Sequence, residues 1–156
     1  MSNAFDRVKL SNIYKVLLSF GFIPAFVNLI KACTDKPWIA PLVNGIPASY
    51  FQATRGIRQG CSLSPFLYIM LADTFSRKLT AERNVGAISG IRLTKEIEPI
   101  NHPLFVDDSL LPGGASLRIT RVFQKILQSF CTISGVLVNK IKSAMYGWNT
   151  YEQTIL

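Results

Sequence analysis

The chain has 156 residues, 49% of them apolar and 17% charged, with a formal charge of +8 and a pI near 9.7. That apolar content can bury one core, which excludes wholesale disorder; the longest charge-free stretch, residues 37–54, holds three prolines and an Asn-Gly pair, which excludes a membrane helix there. The basic balance favours polyanionic partners, because Lys and Arg release counterions from phosphates.

The opening, Ala4-Phe5-Asp6-Arg7-Val8, carries no pattern by itself, and the first ten residues are too polar and mixed for a signal peptide. Leu10, Ile13, Leu17 and Phe20 recur at helical spacing and predict a helix that Gly21 ends. Pro24 can open a second helix with Phe26, Val27, Leu29, Ile30 and Cys33 as its apolar members. From Trp38 the pattern becomes extended on both sides of Asn44-Gly45-Ile46-Pro47, a turn signal. Ser64-Pro65 reads as N-cap and first turn of a third helix, followed by Phe66, Ile69, Met70, Asp73 and Phe75.

Beyond Gly86 and Gly90, residues 90–94 and 102–106 predict short strands, and the second is broken by Asp107-Asp108 before Ser109-Leu110-Leu111 resumes it. This predicts a β-hairpin with two carboxylates at its tip. Ser116 can cap a long helix with one apolar stripe, Ile119, Val122, Phe123, Ile126, Leu127 and Phe130, and Gly135 can stop it. Residues 136–138 and 144–146 are candidates for the last strands. The expected fold class is α+β, a small antiparallel sheet packed against helices. Cys33, Cys61 and Cys131 are odd in number, far apart and set in apolar surroundings, which predicts buried thiols of a reducing compartment rather than a disulfide framework or a zinc site. His102 reads as a polar residue entering a strand, not a metal ligand.

Two segments carry chemistry. Asp107-Asp108 beside apolar strands brings like charges together, which a divalent cation would relieve; Mg²⁺ with phosphate co-ligands is one reading and a solvated Asp-Asp turn is the other. Residues 53–65 join Gly56 and Gly60, which let a backbone approach a ligand, with Arg55 and Arg58, which can hold phosphates, and lead into a helix N-terminus. A plain basic loop before a helix is the alternative.

In this order the segments resemble the reverse transcriptases of non-LTR, LINE-type retrotransposons, particularly those of plants. Met1-Ser-Asn-Ala-Phe-Asp-Arg-Val8 resembles motif A, and Arg55-Gly-Ile-Arg-Gln-Gly60 with Leu63-Ser-Pro65 resembles motif B. Phe105-Val-Asp-Asp-Ser-Leu-Leu111 resembles motif C, often Phe-Ala-Asp-Asp in the family, and Ser134-Gly135, Val138-Asn139 and Lys142-Ser143 resemble motif D. Val43-Asn-Gly45 and Leu18-Ser-Phe-Gly-Phe22 add to the likeness, which covers nearly the whole chain.

The resemblance implies a polymerase palm as a single partial domain over 1–156, with finger-like elements around 36–60. It implies an RNA template, a DNA primer, deoxynucleoside triphosphates and two Mg²⁺ ions. It makes Asp107 and Asp108 the catalytic, metal-binding carboxylates, and sets Gln59 and Gly60 against the incoming nucleotide and template base. It makes Phe5 the ring that blocks a ribose 2′-hydroxyl, and Arg55 and Lys142 nucleotide-binding cations. The family's motif A reads Asp-x-x-x-Ala-aromatic-Asp; Asp6 is its second Asp, and the first, a metal ligand, would fall just before Met1. Without that carboxylate, and without the rest of a polymerase, the expectation is weak Mg²⁺ binding and negligible catalysis. Val106, Cys61 and Pro112-Gly113-Gly114 also depart from the pattern, as in a decayed element copy. A non-catalytic nucleic-acid-binding remnant and a pseudogene product are the other readings. No membrane association is expected.

Overall fold

Eleven short elements follow one another in the computed structural model, which describes residues 4–147. In chain order they are α1 (Ala4–Arg7), α2 (Leu10–Ser19), α3 (Pro24–Thr34), β1 (Trp38–Ile39), β2 (Leu42–Val43), β3 (Ile46–Pro47) and β4 (Phe51–Gln52). The long helix α4 (Ser64–Asn84) comes next, then β5 (Leu104–Phe105), β6 (Asp108–Ser109) and α5 (Leu117–Ser134).

The core is helical. α2 packs on α3, α4 and α5, and α4 also packs on α5. Leu10, Ile13 and Leu17 are buried as their spacing requires, with Phe20 half-buried beside them. On α4 the buried stripe is Ser64, Leu67, Tyr68, Leu71, Phe75 and Leu79, which is i, i+3, i+4, i+7 recurrence on one face. Phe75 lies against Phe130 of α5 with ring centroids 4.9 Å apart; truncating such a ring to alanine costs about 3–5 kcal/mol. Of the residues expected to line α4, Phe66 and Ile69 instead face outward. Both sides of this helix are apolar, so periodicity could not choose between them. α3 buries only Val27 and Ile30 of its apolar set, leaving Phe26, Leu29 and Cys33 exposed. The buried-thiol expectation therefore fails for Cys33, while Cys61 and Cys131 are half-buried; all three are free.

Two helix ends follow the sequence closely. The Ser116 hydroxyl accepts from the Ile119 N–H at 3.3 Å, and Gly135 ends α5 at φ +82° with its N–H donating to the Cys131 carbonyl. The start of α4 differs. Leu63 occupies the cap position, and the Ser64 hydroxyl donates to the Arg58 carbonyl at 2.6 Å. Ser64 thus ties the preceding loop to the helix rather than capping it.

The β component is antiparallel, but it forms three separate two-stranded ribbons, β1–β4, β2–β3 and β5–β6, among the described residues. Asn44-Gly45 links β2 to β3 with positive φ at both positions, the two-residue hairpin turn that Asn-Gly favours. Residues 90–94 and 100–106 meet only through the bridge between Ile91 and Ile100, and 136–138 and 144–146 form no extended strand pair. The ribbon strands are largely exposed. Without a layer against either face, little burial rewards lengthening them. No helix among the described residues is long and apolar enough to cross a membrane.

Candidate active-site cleft

Three sequence-distant segments meet at the N-terminal end of α4. The helix α1 is strapped to the glycine loop by two backbone bonds, Gly56 N–H to the Val8 carbonyl at 2.9 Å and Ile57 N–H to the Phe5 carbonyl at 2.7 Å. Gly56 has φ +88°, and a Cβ there would lie 2.8 Å from the Asp6 carbonyl oxygen. Only glycine permits both the left-handed backbone and this approach. The third segment is the β5–β6 hairpin, whose turn is Val106-Asp107.

Together they enclose a cleft of about 630 Å³, lined at its rim by Phe5, Asp6, Gln59, Gly60, Ser62 and Asp107, with Cys61, Ser64, Pro65 and Val106 completing it. Gln59 Nε2 donates to Asp6 Oδ1 at 2.8 Å, which fixes the amide and joins the first segment to the second. Phe5 stacks on Tyr68 with centroids 4.9 Å apart and planes 21° from parallel. Burial, and then the Asp107 charge, push the Tyr68 phenol up to about 12. The Cys61 thiol is lowered, chiefly by the backbone N–H of Leu63, with Ser64 and Arg58 adding to it.

Of the residues singled out in the sequence, Phe5, Gln59, Gly60 and Asp107 share the cleft, whereas Arg55, Asp108 and Lys142 lie outside its lining. The hairpin tip is not the expected pair of carboxylates. Asp107 occupies the turn, but Asp108 is in β6 opposite Phe105 and is exposed. Lys142 is exposed, its backbone N–H donating to Asn139 Oδ1 at 3.3 Å. Arg55 is exposed on the loop. Tyr68 and Asp6 were missed as site residues. Asp6 was visible in the opening motif, but its partner 53 residues away was not. The one signal for Tyr68 was its position one turn beyond Ser64.

His102 pairs away from the cleft. Its Nε2 is 2.6 Å from Ser76 Oγ and its Nδ1 is 2.7 Å from Asn101 Oδ1. With the Asn101 oxygen facing the ring, Nδ1 donates and Nε2 accepts from the Ser76 hydroxyl. Burial, then Arg83, lower its pKa. The ring is a neutral pin between α4 and the chain entering β5.

Residues 1–152 match the family described as reverse transcriptase (RNA-dependent DNA polymerase). The chain belongs to the reverse transcriptase family. It is similar to the retrovirus-related Pol polyprotein from the type-2 retrotransposable element R2DM of Drosophila melanogaster, 28% identical over 147 residues. That match takes in 94% of this chain and 13% of the polyprotein. It is also similar to an uncharacterized mitochondrial protein of Arabidopsis thaliana, 37% identical over 68 residues, 44% of this chain and 56% of that protein. The resemblance to non-LTR retrotransposon reverse transcriptases holds, and the chain spans well under two thirds of either relative.

Proposed function

We propose that this chain is a palm portion of an RNA-directed DNA polymerase, a single partial domain over 1–156 with finger-like elements around 36–60. On this reading it binds deoxynucleoside triphosphates and an RNA template with its DNA primer, and needs the remainder of a polymerase to catalyse. The observation that carries the reading is the convergence of Phe5, Gln59, Gly60 and Asp107 on one cleft from segments up to a hundred residues apart. Phe5 would meet the nucleotide sugar, Gln59 and Gly60 the nucleotide and template base, and Asp107 and Asp108 would act as the catalytic carboxylates. Arg55 and Lys142, outside the lining, would reach phosphates that extend beyond it. Charge supports the same reading: no acidic residue falls between Asp35 and Asp73, a stretch that carries Lys36, Arg55 and Arg58.

Mg²⁺ takes oxygen ligands and is commonly held by one or two carboxylates together with substrate phosphates. Asp107 and Asp108 suit one such ion weakly. A pair of ions needs more carboxylate, and among the described residues no group of three Asp, Glu, His or Cys side chains converges. Asp6 lines the cleft, but Gln59 engages it. The residues present do not fit a two-ion centre, so no chemical step is assigned to this chain by itself.

The test is a pair of assays on the chain. Primer extension on an RNA template with Mg²⁺ should give no incorporation above background, and incorporation would overturn the claim of inactivity. Binding to a primer–template hybrid should weaken with salt, with a log–log slope of roughly −3 or steeper if three or more phosphates are contacted. A slope near zero would sink the nucleic-acid reading.

A further inference from the structure

Tyr68 stands behind the cleft, at the junction of two of its walls. It is 5% exposed and lies on the buried face of α4, one turn beyond Ser64, so its backbone is fixed by a long, well-packed helix. One face of its ring stacks on Phe5. Its phenol is close enough to Asp107 for the carboxylate's charge to act on it. A tyrosine that served only as core would gain nothing from its hydroxyl, since a buried phenol O–H requires a polar partner. Here the hydroxyl is aimed at the wall that carries the acidic turn.

We propose that Tyr68 is a positioning residue that orients the Phe5 ring on one wall of the cleft and steadies the Asp107 carboxylate on the other. The inference rests on the reading of the cleft as a nucleotide site, and it adds a division of labour. The ring sets selectivity for the sugar. The hydroxyl sets the hold on the cation-bound triphosphate. The two walls come from opposite ends of the chain, and their separation depends on this one side chain. The phenol stays protonated at neutral pH, because burial and Asp107 both raise its pKa, so it remains a donor to a carboxylate.

The experiment compares the wild-type chain with Tyr68→Phe and Tyr68→Leu, the fold of each checked by circular dichroism. Affinities for the Mg²⁺ complexes of a deoxynucleoside triphosphate and its ribonucleoside counterpart are measured by equilibrium titration. Tyr68→Phe keeps the ring and should weaken both by the same factor, roughly threefold to tenfold, with the deoxy-to-ribo ratio unchanged. Tyr68→Leu removes the stack and should lower that ratio by roughly threefold to tenfold. A tyrosine that merely fills space would leave the ratio unmoved in Tyr68→Leu and both affinities unmoved in Tyr68→Phe, and either result overturns the corresponding role. Tyr68→Met, of similar reach, takes the place of leucine if that variant does not fold.

A ligand-free measurement separates this inference from the reading it rests on. The Phe5 ring protons should shift in Tyr68→Leu, through loss of the neighbouring ring current, and stay in place in Tyr68→Phe. Unmoved Phe5 resonances in the leucine variant overturn the inference whether or not nucleotides bind. A wild-type chain with the expected shifts that binds neither triphosphate overturns the nucleotide reading and, with it, the assigned roles.

Discussion

Val106 has φ +50°, a conformation that β-branched residues rarely adopt. It is the first of the two turn residues between β5 and β6 and is more than half exposed, so packing gives it little return. The strain is the structural counterpart of a departure visible in the sequence, where the related motif often carries Ala. A left-handed conformation costs an L-residue about 1–2 kcal/mol, and glycine escapes that cost while losing more chain entropy on folding. Val106→Gly should therefore raise stability by about 0.5–1 kcal/mol, read from the urea midpoint at unchanged m value. A lower midpoint would mean that the valine side chain supports the turn by contacts that outweigh its backbone strain. The neighbouring Asp107 was legible as a site residue from its type and its place in the motif. That it and not Asp108 faces the cleft was not legible, because a shift of one position in a hairpin turn exchanges which side chain points where.

The two ends of α5 were both legible, and they differ in what holds them. The start is local: the Ser116 hydroxyl meets the Ile119 N–H three residues on. The end is both local and tertiary. Gly135 adopts positive φ, and the chain there presses on the α1–α2 junction, where a Cβ would lie 2.6 Å from the Arg7 carbonyl oxygen and 2.9 Å from Lys9 Cγ. Lys9 N–H donates to the Ser134 carbonyl at 2.8 Å, and Asn12 Nδ2 donates to the Ile133 carbonyl. Ser116→Ala should cost about 1 kcal/mol, a typical cap. Gly135→Ala should cost more, about 2–4 kcal/mol, since it adds a clash with backbone to the conformational penalty. Equal losses for the two variants in chemical denaturation would contradict the docking of α5 on the α1–α2 junction.

At the scale of the whole molecule, His102 links the helical core to the chain that carries the acidic turn, and its pKa gives that link a pH dependence. The folded pKa is lowered, by burial first and Arg83 second. Its contribution is therefore complete above the unfolded value near 6.5 and is lost as pH falls through that value toward the lowered folded one. The urea midpoint of the wild type should drop between pH 7.5 and pH 5.5 by more than that of His102→Gln. Equal drops would show that the ring is not held neutral.

The sequence by itself determined the family, the α-helices and their stops, the Asn-Gly turn and the residues Phe5, Gln59, Gly60 and Asp107. Each of these follows from short-range chemistry: a cap, a glycine, a motif of fixed spacing. The tertiary structure alone decided that α4 buries Tyr68 rather than Phe66 and Ile69, and that the Ser64 hydroxyl serves the Arg58 carbonyl instead of a helix cap. It alone decided that the strands stay as separate ribbons, that Asp6 binds Gln59, and that Arg55 and Lys142 stand outside the cleft. The physical reason is common to all of them. Which side of an apolar helix is buried, and which polar group finds a partner, depends on the surface that arrives opposite it from a distant part of the chain.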